Sequence, residues 1–324
     1  MRNGAEEAMF RSGWKNLLLG IPAIEATFEK RGFSQGSLQA RRHLEKVGQA
    51  FLHGYHSALN ASAAVPLESR IDILNSDFSG FAYEGAAMAL AILDWLTPWQ
   101  ESRFQTFLKA AGSRHVYMAH VGFGWAAARL RRPLESLLPV FNNLMRWLVA
   151  DGYGFHEGFF HWERYVSQCE APGVEGYTRR AFDQGLGRSL WFIDGADTQK
   201  IPFTIDSFPL SRQADLWSGI GLACAYAGGV DAEAIQVLAA ASENYRPQLA
   251  QGAAFAAKAR QLAGNPAAHT ELACQIICNV SAENAAQITD DALMDLPGED
   301  AQPAYEVWRH RIQTCCAELT GVAL

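Results

Sequence analysis

Residues Asp151–Asp194 read DGYGFHEGFFHWERYVSQCEAPGVEGYTRRAFDQGLGRSLWFID, and this stretch decides the fold. It contains two segments of one design: a polar residue, then Gly, then an apolar run. They are His156-Glu157-Gly158-Phe159-Phe160 and Asp183-Gln184-Gly185-Leu186-Gly187. Looser copies flank them at Tyr83-Glu84-Gly85, His120-Val121-Gly122, Trp217-Ser218-Gly219 and Ala250-Gln251-Gly252. The glycines recur roughly every 33 residues, a spacing typical of helical-repeat architectures.

Working outward, the segments between these copies alternate in character. Ala82–Trp95 is nearly all apolar and predicts an interior helix, whereas Trp99–Ala111 predicts an amphipathic one. Val121–Leu130 and Leu134–Val149 repeat the pair, as do Leu216–Ala227 with Ala232–Ala241 and Gly252–Leu262 with Thr270–Val280. Before them, Leu44, Val47, Phe51 and Leu52 form one helical stripe behind Ser37, a natural N-cap. Period-two β-branched runs are scarce. The expected fold is therefore all-α, with repeated helical hairpins in a curled superhelix or an α/α toroid-like array. Three regions are expected to pack as one domain: an N-terminal helical segment (1–66), the repeat core (67–289) and an acidic, Pro-containing break with a final helix (290–324).

Composition excludes several function classes. A net charge of −7 without a basic stripe argues against nucleic-acid binding. Leu17-Leu18-Leu19 is too short for export or insertion, and no other run is long enough, so a cytoplasmic protein is expected. Six cysteines in 324 residues do not make a disulfide framework; Cys274 and Cys278 share a helix face and read as buried thiols. No Walker A, dinucleotide fingerprint or nucleophile elbow stands out, and the cofactor is left unassigned.

The chemistry is expected where the polar residues precede the glycines. Read as starts of inner helices, they would bring Tyr83, Glu84, His120, His156, Glu157, Asp183, Gln184 and Trp217 toward one mouth, beside helix dipoles. The bland alternative is that they are caps. His156, Glu157 and Asp183 are the candidate catalytic residues, since carboxylate and imidazole can exchange protons near neutral pH. Tyr83, Glu84, His120, Phe155, Phe159, Gln184, Trp191 and Trp217 are the candidate substrate-binding set, with ordinary core packing as the alternative for the aromatics. His156 and His161 are five apart and diverge on a helix, so no metal motif is assigned.

Several blocks together carry a family resemblance: YEGAAMALAILD (83–94), HVYMAHVGFGWAAARL (115–130), DGYGFHEGFF (151–160), FDQGLGRSLWF (182–192), DLWSGIGLACAYAGG (215–229) and QGAAFAAKAR (251–260). The chain resembles the family catalogued as domain of unknown function 1702, from about Arg31 to Arg309. Members are encoded beside enediyne polyketide synthases. The resemblance thus implies work on a polyene-derived enediyne core, without implying any catalytic residue. The expectation is an accessory protein that binds a hydrophobic polyene-type molecule and helps convert it. Two alternatives stand beside it: a noncatalytic scaffold joining other pathway proteins, or a metal-dependent oxidative enzyme.

Overall fold

The computed structural model describes residues 17–61, 66–170, 172–297 and 302–321, and every regular element among them is a helix. Seven long helices follow one another: α1 (Leu38–Leu59), α2 (Ser76–Leu96), α3 (Val116–Arg129), α4 (Met145–Phe160), α5 (Gly176–Ile193), α6 (Leu210–Ala227) and α7 (Arg246–Ala263). Each lies against the next, and shorter helices connect or flank them. The C-terminal helix α8 (Ala304–Thr320) lies against α7. The expected reading of residues 1–16 and most of the loop before Pro66 lies outside the described residues, as does part of the 290–303 break.

The helices meet backbone to backbone. A Cβ added at Gly185 would stand 1.8 Å from the Asp151 carbonyl oxygen, and one at Gly219 would stand 2.1 Å from that of Gln184. No real side chain tolerates such contacts, so only glycine lets the axes come this close. The arrangement is regular. In Gly122-Phe123-Gly124, Gly152-Tyr153-Gly154, Gly185-Leu186-Gly187 and Gly219-Ile220-Gly221, the first glycine abuts the preceding helix and the second the following one. Gly85 and Gly252 make the first of these contacts in α2 and α7.

Neighbouring helices run in the same sense where their contacts can be followed along the axis. From α5 to α6, Arg180 meets Asp215, Ser218 meets Gln184, and Trp191 Nε1 donates to Gly228 O at 2.9 Å. The series also curls back on itself. Arg260, near the end of α7, donates to Asp77 O near the start of α2 (3.0 Å), and Asn265 donates to Ser76 O (3.1 Å). His43, near the start of α1, meets Ala227 O at the end of α6 (2.6 Å).

Local signals explain most helix ends and one misreading. Ser37 caps α1 as expected, its side chain accepting from Ala40 N, and Asn75 caps α2. The glycine motifs, however, do not open helices. They lie inside them, and the inner helices begin about one to three turns earlier than the motifs suggest. Leu134–Val149 is likewise not one helix. Pro139 holds a 3-10 turn over Leu138–Val140, and Asn142 Oδ1 then accepts from Leu144 N and Met145 N to start α4. His156 and Glu157 therefore stand in the last turn of α4, at the negative end of its dipole, not at a helix start. The capping reading fails with it: Glu84, Asp183 and Gln184 are buried mid-helix.

Candidate functional site

A concavity of about 1,020 Å³ opens where α3 and α4 end. Its wall includes Arg129 at the end of α3 and Arg131 just beyond it, Tyr153, His156, Glu157 and Phe160 from α4, and the turn that follows. That turn, Glu163–Ser167, is π-helical, a local widening often found where a helix is shaped around a function. Arg131 adopts φ 51° just beyond α3, where its amide and that of Arg132 satisfy the last carbonyls.

His156 and Glu157 lie at the base of this concavity. The imidazole Nδ1 is 3.0 Å from Glu157 Oε1, and both side chains are nearly buried. Burial holds the His156 imidazole below its ordinary value, while the Glu157 carboxylate beside it pulls the other way. Tyr165, also on the wall, is pushed up to about 12, by burial first and then by Glu157. A neutral imidazole hydrogen-bonded to a carboxylate, facing a ligand-sized space, can accept or return a proton.

Behind Phe160 lies a second space, an aromatic slot of about 50 Å³ between α1, α2, α3 and α4. Phe51, Phe81, Trp125, Phe155, Phe159 and Phe192 supply most of its wall, and Glu84 is its buried acid. Phe160 belongs to both spaces. Trp125 lines only the slot: its ring stands 5.0 Å from Phe155 and 5.9 Å from Phe159, and 5.6 Å edge-on to His156 of the concavity wall.

Glu84 also belongs to a buried polar column. The residues immediately before the first motif glycine are Glu84, Val121, Asp151, Gln184, Ser218 and Gln251; all six are buried, and all but Val121 are polar. Gln184 donates to Asp151 Oδ2 (2.8 Å), Ser218 to Gln251 Oε1 (2.8 Å), and Arg309 of α8 to the same Gln251 oxygen (3.0 Å). Arg188 pairs with Asp151 and lies 4.7 Å over the Phe155 ring. On the other side of that ion pair is a further apolar slot of about 40 Å³.

The residues singled out in the sequence thus divide. His156 and Glu157 face the concavity; Glu84, Phe155 and Phe159 line the aromatic slot. Gln184 is in the column. Asp183 lines neither space: Arg212 grips it at 3.0 Å and ties it to the carbonyls of Cys169 and Glu170. Burial still raises the Asp183 carboxyl to about 6, against the pull of Arg212. Tyr83 stacks on His115 at 4.0 Å and donates to Asp72. His120 is held by Val116 O at 2.7 Å, edge-on to Phe141. Trp191 and Trp217 are buried in the core. Asp151, Arg188, Trp125 and Arg309 were not singled out. For Asp151 the signal was present, because it precedes Gly152-Tyr153-Gly154, the copy that the His156-Glu157-Gly158 reading displaced.

Among the described residues, no three His, Cys, Asp or Glu side chains are placed to hold a metal ion, and no helix is long and apolar enough to cross a membrane. All six cysteines are free, and Cys274 and Cys278 are buried, with sulfurs facing the Ala253 and Ala250 carbonyls.

Fold and site define an all-α protein whose consecutive helices cross at paired glycines, with a polar concavity and an aromatic slot on either side of Phe160. Residues 11–316 match the family described as protein of unknown function DUF1702, and the chain belongs to that family. Neither a curated protein nor a solved structure matches it.

Proposed function

We propose that the chain binds an extended, unsaturated, largely apolar small molecule, with its body in the concavity and one end in the aromatic slot. One observation carries this reading: Phe160 lines both spaces, so a turn of that one ring would open the polar-rimmed concavity onto a wall of aromatic faces. The sequence blocks shared with proteins encoded beside enediyne polyketide synthases support a polyene-derived enediyne-core intermediate as that molecule. His156 and Glu157, hydrogen-bonded at the base of the concavity, are placed to move a proton on it.

The binding test is equilibrium dialysis of the purified protein against a linear conjugated tetraene. Saturable binding that weakens on Phe159→Ala is expected, and non-saturable uptake overturns the reading. The proton-transfer step has its own test in a producing host. His156→Ala and Glu157→Gln, once shown by melting to be folded, should each reduce enediyne-core production at least tenfold. Undiminished production by both removes that step and leaves the binding role in place.

A further inference from the structure

We infer that the aromatic slot receives an oxygen-bearing end of the ligand, held between the Glu84 carboxyl and the Trp125 indole N–H. This rests on the binding reading above and adds to it the chemistry of one ligand end, a carbonyl or hydroxyl group instead of a bare hydrocarbon tip.

The observation is a coincidence of two unpaired polar atoms in one apolar space. Glu84 is 1% exposed, and its Oε1 has no hydrogen-bond partner. Trp125 is 6% exposed, and its Nε1 has none either. Both residues line the slot, whose other walls are almost entirely apolar. An unsatisfied buried polar group costs roughly 1–3 kcal/mol, so two on residues that line one small space mark a place where a partner belongs. The indole N–H points toward the Glu84 carboxyl and eases it downward, yet the two do not close a hydrogen bond, so an oxygen placed between them would complete what neither satisfies alone.

Their chemistry selects the partner. Burial is the largest influence on Glu84 and lifts its carboxyl to about 8; Arg188 opposes this and Asp151 adds to it, so the neutral form is favoured at pH 7. A neutral carboxylic acid in an apolar site is a hydrogen-bond donor, and an indole N–H is only ever a donor. Two donors suit the two lone pairs of a single oxygen atom. The slot has room for the thin end of a chain and not for a ring system, while the much larger concavity lies beyond Phe160 for the remainder. A water molecule could satisfy the same atoms, and the experiment separates it from a ligand.

Two probes suffice: a linear conjugated tetraene ending in an aldehyde, and the same tetraene ending in a methyl group. Wild-type protein should bind the aldehyde about tenfold more tightly in equilibrium dialysis, the worth of one net hydrogen bond. Trp125→Phe, which keeps a ring and removes the N–H, should bring the aldehyde down to the affinity of the methyl probe in the same variant, the aldehyde losing far more than the methyl probe does. Glu84→Leu should do the same, and Glu84→Gln, which still donates, should retain the preference. Should Glu84→Leu fail to fold, Trp125→Phe decides alone. Equal binding of both probes by wild type, or equal losses for both in Trp125→Phe, overturns this inference and leaves the binding role standing. Failure of wild type to bind either probe overturns both.

Discussion

Glu84 shows how much one side chain's surroundings decide. The residue is ordinary in the sequence, yet it is buried among Phe51, Phe81 and Trp125, with Arg188 and Asp151 acting on it from α5 and α4. Its carboxyl is raised from an ordinary 4.5 to about 8, so the folded protein holds this proton more tightly than the unfolded chain. The associated stability is complete below about pH 4.5, declines as pH rises, and is lost once pH passes about 8. Glu84→Gln removes the titration while keeping the shape. Its melting temperature should fall less than that of wild type between pH 5 and pH 9, a difference of roughly a few kcal/mol at the alkaline end. Parallel melting curves across that range would mean that Glu84 is ionised throughout. His156 is the contrasting case. Its neighbour Glu157 was readable as a partner from adjacency alone, but the Tyr165 phenol beside them comes from the π-helical turn, which no spacing rule anticipates.

At the scale of elements, the crossings depend on missing side chains. Gly219→Ala would place a methyl 2.1 Å from Gln184 O and 2.6 Å from Arg188 N, both main-chain atoms that cannot step aside. It should cost roughly 1–3 kcal/mol or more in thermal or denaturant unfolding. Gly173→Ala, which meets nothing within 4 Å, should stay within about 0.5 kcal/mol of wild type. Equal effects from the two changes would disprove the close crossing. The all-α class was legible because nearly continuous apolar runs and recurring glycines leave no room for a two-residue period. The helix starts were not, because a polar residue before Gly resembles a cap, and only packing distinguishes a cap from a buried column. Register failed for the same reason: Gly152 and Gly158 are both buried against neighbouring helices, and only the first belongs to the paired crossing. Trp191 and Trp217 illustrate a further ambiguity. Burial in a core and exposure in a pocket demand the same residue types, so composition cannot separate them.

For the whole molecule, α8 locks the array through charge. Arg309 is fully buried, 2.8 Å from Asp215 of α6 and 3.5 Å from Glu306, while Arg180 of α5 pairs with the same two carboxylates. Arg309→Met leaves buried acid with less compensation and should cost about 3–5 kcal/mol, with α8 the first segment released in limited proteolysis. A melt within 0.5 kcal/mol of wild type would show that Arg180 alone suffices. The glycine crossings bear on traffic as much as on stability. Where main chain touches main chain, no side chain can swing aside, and the seams between consecutive helices are shut to anything larger than a solvent molecule. In the binding reading proposed above, a guest passing from the concavity to the slot would have to displace Phe160, the ring that lines both, so the turning of that one side chain would set the pace at which it arrives and departs.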